Sequence, residues 1–220
     1  MVDIHVGEAP NAKHFRIHKA ILCQKVPFFD TMFNGGFKEA TENKANLPSD
    51  RWETFDVLQE WVYTGTLRKL SVKTNSETKL LNYSIINAYM LFDKFCLPHL
   101  ADMIVSMYIT MSVTSDVLPR VTDIATAYTV LPPASKFRQY FLMVLHFINA
   151  GLSRCAHHLN VWSEEKLSQL LVQHPTLCLD YMKLTRHHSI GKAAEDPRKM
   201  SHCLFHQHGE GEECTVKKDT

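Results

Sequence analysis

The hydrophobic period changes within the first thirty-six residues, and that switch limits the folds open to this chain. "VDIHV" alternates: Val2, Ile4 and Val6 face one side, Asp3 and His5 the other. A period of two predicts a strand with one buried face. "GEAPN" is turn chemistry, and "HFRIH" alternates again with Phe15 and Ile17 inward. The two segments predict a hairpin. From Lys19 the period is helical. Ala20, Ile21 and Cys23 form a short face, and Pro27 opens a second helix at a tolerated first-turn position. Phe28, Phe29, Met32 and Phe33 crowd its inner side. Asn34-Gly35-Gly36 stops it, because glycine accepts the left-handed conformation at a helix end. No phosphate-binding glycine motif follows the first strand, so a Rossmann-type beginning is excluded.

"KANLP" predicts a short third strand that ends, or lies at an edge, at Pro48. Ser49 or Asp50 then caps "RWETFDVLQEWVYTG", and Asp50 with Glu53 resembles a capping box. Phe55, Leu58 and Val62 share one face beside Trp61, and Gly65 is the stop. Residues 68–82 are polar and irregular, which predicts an exposed loop with room for a short strand. Two helices follow: 84–96, with Ile86, Tyr89, Met90 and Phe95 inward, and one opened by Pro98, carrying Leu100, Ile104, Met107 and Tyr108.

The second half is helical by pattern. Asp116 is placed to cap 117–130, Pro132-Pro133 break it, and 135–150 are rich in apolar residues. Ser163 caps 164–174, with Glu164 and Glu165 against the positive end of the helix dipole. After Pro175, Thr176 is placed to cap 177–187. From about Ser189 the text turns polar. The longest apolar stretch, Tyr140 to Leu152, carries His146 and Asn149 and falls short of the about 20 residues a bilayer span needs. No membrane partner is expected. The net charge of +1 offers no basic excess for nucleic acid. Of six cysteines, Cys23, Cys96, Cys155 and Cys178 lie in or beside apolar text and read as free thiols acting as small hydrophobes. No signal peptide is visible, which predicts a reducing intracellular compartment, cytoplasm or nucleus.

The element order and particular residues together resemble the BTB/POZ domain. The matching features are His18-Lys19-Ala20, Pro27-Phe28-Phe29 before Met32-Phe33, and Tyr63-Thr64-Gly65, with "YMLFDKFCLPHLAD" similar to that family's helix pair after the loop. "NGGFKEA" and "EWVYTG" with a polar insertion are closest to fungal members. The resemblance implies an α+β fold, a helical cluster flanked by a short three-stranded sheet. It covers residues 1–111, the BTB/POZ domain; the pattern of the text beyond gives 112–188 as a helical extension (a BACK-like or family-specific bundle) and 189–220 as a polar Cys/His-containing tail. His18, Pro27 with its phenylalanines, and the Trp61-Tyr63 pair read as structural, His18 bonding backbone where strand turns to helix.

BTB domains are interaction modules without chemistry of their own, and many bring substrates to cullin-type ubiquitin ligases. Adaptor members carry a hydrophobic-x-Glu motif after the second helix; its match here is Phe37-Lys38-Glu39. The aromatic ring would supply buried area and the carboxylate orientation. The alternative is that Phe37 packs under its own loop and Glu39 is solvated. Dimeric members place an extra helix and strand before the first strand seen here, which argues against a homodimer for the chain as given.

The tail "SHCLFHQHGEGEEC" carries Cys203, His206, His208 and Cys214, two thiols and two imidazoles for one structural zinc ion. Gly209 and Gly211 let the chain fold back to bring in Cys214, while Glu210, Glu212 and Glu213 read as solvent charge. The pairs His157-His158 and His187-His188 read as surface histidines. A BTB scaffold of a transcription-associated complex, with a zinc-binding tail, is the competing reading. No nucleotide loop, H-E-x-x-H or nucleophile elbow occurs, so no enzyme is expected.

Overall fold

The computed structural model describes residues 1–75, 78–150, 161–187, 194–209, 211–214 and 216. It divides into two compact units, Met1–Met107 and Tyr108–Thr220. In the first, β1 (Val2–Val6) pairs antiparallel with β2 (Lys13–Ile17), Ile4 opposite Phe15. On its other side β1 pairs in parallel with β3 (Lys44–Leu47), Val6 opposite Leu47, giving the order β2-β1-β3. The strand alternation buries Val2, Ile4, Val6, Phe15, Ile17, Ala45 and Leu47 on one face. On the other, Asp3 bonds His14 at 2.7 Å, and the His5 and His14 rings stack at 4.7 Å.

The buried face meets α4 (Trp52–Thr64) where Phe15 and Phe55 lie 4.8 Å apart. In turn α4 contacts α5 (Ile85–Lys94) and α1 (Lys19–Lys25), and α1 contacts α2 (Pro27–Asn34), with the short α3 (Lys38–Glu42) between α2 and β3. The core is a phenylalanine cluster: Phe29 lies 5.0 Å from Phe95, 5.9 Å from Phe33 and 6.2 Å from Phe55, centroid to centroid. Each such side chain is worth roughly 1.5–3 kcal/mol when fully buried. Gly65 ends α4 at φ 76°, its N–H donating to the Trp61 carbonyl.

Several expected details are corrected. Gly35 follows α2 with extended backbone, φ −80° and ψ −175°, and is not left-handed. Asp50 does not cap α4: its carboxylate is held 2.5 Å from Lys94 Nζ, and the helix begins after Arg51 without a side-chain cap. On α1 the inward residues are Leu22 and Cys23, spaced one turn from buried Val26, whereas Ala20 is exposed. Met90 is also exposed, and so is Cys96, which follows α5 in a left-handed turn at φ 56°. The polar stretch after Gly65 is a two-stranded hairpin, β4 (Val72–Asn75) with β5 (Thr78–Leu81), flanked in sequence by buried Leu67 and Tyr83.

α6 (Pro98–Thr114) spans the division between the units. The second unit continues with α7 (Val121–Val130), α8 (Lys136–Ala150), α9 (Glu164–Gln173) and α10 (Pro175–His187). Two 3-10 turns follow, Pro197–Lys199 and His202–Phe205. Tyr108, Phe137, Tyr140 and Phe141 form its aromatic core. The Arg138 guanidinium lies 3.9 Å from the Tyr128 ring centre and 3.5 Å from Asp180. Ser163 caps α9 by accepting from the Lys166 N–H. Asp116 caps nothing: it sits at φ 44° and pairs with Arg198, while Asp123 accepts the Arg120 N–H where α7 begins. Thr176 lies inside α10, because Pro175 already occupies its first position. The architecture is α+β, a small three-stranded sheet with a mostly helical remainder. Among the described residues no helix is long and apolar enough to cross a membrane.

Candidate functional site

Two places carry the residues singled out from the sequence. At the first, α2 ends, the chain passes Gly35 and Gly36, and Phe37 takes the position before α3. A Cβ on Gly35 would lie 2.4 Å from the Thr31 carbonyl oxygen and 3.1 Å from the Phe37 ring. Glycine is therefore required by close approach: it lets the aromatic ring lie against the end of α2. Phe37 is nevertheless 56% exposed. Its carbonyl accepts the Ala40 N–H at 3.1 Å. Lys38 is exposed and pairs with Glu42 one turn on at 3.3 Å, while Glu39 is half-buried. Asn43, left-handed at φ 51°, closes α3 and delivers the chain to β3. Phe33 is buried and Met32 half-buried. The three residues thus form a fixed, outward turn bearing one apolar ring.

The second place is the C-terminal segment. Cys203 lies in the second 3-10 turn, and His206, with extended backbone, follows it. Gly211, at φ 84°, reverses the chain, and the Gly209 N–H donates to Glu212 at 2.8 Å. The result brings one ligand atom each from Cys203, His206, His208 and Cys214 within 4.8 Å of one another. Cys214 Sγ is 3.4 Å from His206 Nδ1. Around a tetrahedral zinc, donor atoms stand about 3.3–3.8 Å apart, so a slight contraction of this cluster would enclose an ion. At two of the four residues the surroundings favour the form that binds a metal. Burial, then the charges of His208, His202 and Lys136, pull the His206 imidazole down to about 4, leaving it neutral at pH 7. Burial pushes the Cys203 thiol up, but hydrogen bonds with His208 and Cys214 outweigh it and hold the thiol below its ordinary value.

The segment is anchored by residues that the sequence reading missed. Phe205, 1% exposed, meets Tyr140 of α8 edge-on at 5.1 Å. Lys136 Nζ donates to the His208 carbonyl at 2.8 Å. Upstream, Arg198 binds Asp196 through both its Nε and a terminal nitrogen, and reaches Asp116 at 3.1 Å. The available signal was Phe205 itself, the sole aromatic residue after Ser189.

Elsewhere, the partner of His18 is a side chain: its Nδ1 lies 2.9 Å from Tyr63 Oη, and the His18 backbone N–H donates to the same oxygen at 3.1 Å. Trp61 packs under Lys25. Glu212 is held by Gly209, and Glu213 is exposed. Cys155, His157, His158, His188 and Glu210 lie outside the described residues, as does the side chain of His187.

A family model of the BTB/POZ domain matches residues 2–112. Two Arabidopsis thaliana proteins match shorter stretches. Armadillo BTB Arabidopsis protein 1 is 32% identical over 57 residues, 26% of this chain and 8% of that protein. ARM repeat protein interacting with ABF2 is 30% identical over 53 residues, 24% of this chain and again 8% of the relative. The match therefore spans less than a tenth of either relative's length. The sheet order, the helices that cover it and the family match over half of the chain agree: this chain belongs to the BTB/POZ domain family.

Proposed function

We propose that this protein is a non-enzymatic substrate adaptor that docks on a cullin-type ubiquitin ligase through Phe37, Lys38 and Glu39. Its family is one of protein-interaction modules. The observation that carries the reading is an aromatic ring left 56% exposed on a turn fixed at both ends by helices. Exposed aromatics on rigid backbone are what interface anchors are made of, because they bring large area at little entropic cost. The half-buried Glu39 sets orientation beside it. In this reading residues 1–111 are the docking domain, the helical 112–188 receives a substrate protein, and 189–220 is a tail holding one structural zinc ion. Four protein ligands would complete zinc's tetrahedron and leave no position for catalysis. The protein works inside the cell, in cytoplasm or nucleus, and the likeness of "NGGFKEA" and "EWVYTG" to fungal BTB proteins supports an affinity with that group.

A second reading draws on the Cys/His cluster: a BTB scaffold of a transcription-associated complex, its zinc-bearing tail contacting the assembly. The acidic residues between the metal candidates count against nucleic acid as the direct partner.

The test is a pull-down of the chain on a purified BTB-binding cullin, wild type beside Phe37→Ala and Glu39→Lys. Saturable binding by the wild type, weakened at least tenfold in both variants with unchanged circular dichroism, is the expected result. No binding by the wild type would overturn the adaptor reading and leave the scaffold reading standing.

A further inference from the structure

The C-terminal segment buries little of itself. Among the described residues from Met200 onward, only Phe205 and His206 are buried. Phe205 against Tyr140, the bond from Lys136 and, upstream, Arg198 on Asp116 hold a chain that must also reverse at Gly211. A metal shared by Cys203, His206, His208 and Cys214 would tie both arms of the reversal together and fix Phe205 in its seat. Two of those four ligands are thiols, and both are half-buried, within reach of solvent.

We propose that this centre, resting on the zinc reading above, is a clasp that oxidation releases: a hydroperoxide converts Cys203 and Cys214 to a disulfide, expels the zinc and frees the segment from α8. One thiolate attacks the peroxide oxygen, forming a sulfenic acid and hydroxide. The second thiolate attacks that sulfur, forming the S–S bond and releasing a second hydroxide. Two electrons pass from the two sulfurs to the peroxide, and the zinc leaves unchanged as Zn²⁺. The geometry allows the bond, since the ligand atoms already lie within 4.8 Å. It also explains the release. Thiolates about 3.8 Å apart on zinc must close to about 2.05 Å in a disulfide. That movement draws the cysteines together and withdraws the metal from both imidazoles, so the turn carrying Phe205 loses its fixed position.

The experiment uses the full chain, reduced and zinc-loaded, with zinc content measured by mass spectrometry. Hydrogen peroxide is added stepwise while a chromophoric chelator reports free zinc, peptide mapping reports disulfides, and hydrogen exchange follows α8. The expected result is one zinc released per chain, a Cys203–Cys214 bond, and exchange around Tyr140 at least tenfold faster. Dithiothreitol with added zinc should reverse all three. Zinc retained under peroxide, or lost with no Cys203–Cys214 bond or no change at α8, would overturn the clasp and leave the zinc site intact. A reduced protein that neither contains nor takes up zinc would sink the metal reading itself, and the clasp with it.

Discussion

Gly35 touches both the end of a helix and the ring proposed to meet a partner. A methyl group there would have to share space with the Thr31 carbonyl and the face of Phe37. Gly35→Ala should therefore cost about 1–3 kcal/mol, the usual range for overpacking, and should weaken cullin capture without altering any docking side chain. Urea denaturation read beside the pull-down checks it; wild-type stability in the variant would mean that the turn yields freely. This glycine also shows how residue-level reading errs. The sequence marks where the helix stops, and the stop is there. The reason differs, because the close approach depends on Phe37 folding back, which no local rule contains. His18 is a similar case: its partner, Tyr63, lies forty-five positions away in the chain.

Elements were legible where their signal was local. Both hairpin strands, β3, and the helices opened by Pro27, Pro98 and Ser163 fall where alternation, proline and capping chemistry put them. Caps that compete with tertiary partners were not legible, since Lys94 takes Asp50 and Arg198 takes Asp116. The α3 helix was missed because five residues carry too little periodicity to distinguish a turn from a loop. The Cys/His residues were legible as a group, but their anchoring on α8 through Phe205 was not. One anchor of that segment has a pH signature. Burial pushes the Asp196 carboxyl up, yet the Arg198 hydrogen bonds outweigh it and hold it below its ordinary value of 3.8. Its ionised form is thus favoured by folding. The stability this supplies is full above pH 3.8 and is lost as pH falls through the lower, folded value. Arg198→Met should lower the stability of the second unit at neutral pH and flatten its acid loss below pH 3.8. Denaturation midpoints between pH 2 and pH 7 would test this; parallel curves for the two proteins would refute it.

At the scale of the molecule, the order of elements identified the first unit, whereas the second offered helices without a distinctive order. The parallel pairing of β1 with β3 also governs how the first unit is assembled in time. β2 closes on β1 across a short turn, but β3 reaches it only after the chain from Gly7 to Asn43 has been gathered. Closing the longer loop costs more entropy and is slower. During synthesis the nascent hairpin consequently waits with one edge open while α1, α2 and α3 emerge. The Asp3 and Gly7 amides, which donate to Asn43 and Leu47, report that late step. In a pulsed-exchange refolding experiment they should gain protection after the β2 amides; simultaneous protection would mean that the sheet forms in one event. The interval between the two is the time in which a chaperone, or a neighbouring unfinished chain, can claim the open edge.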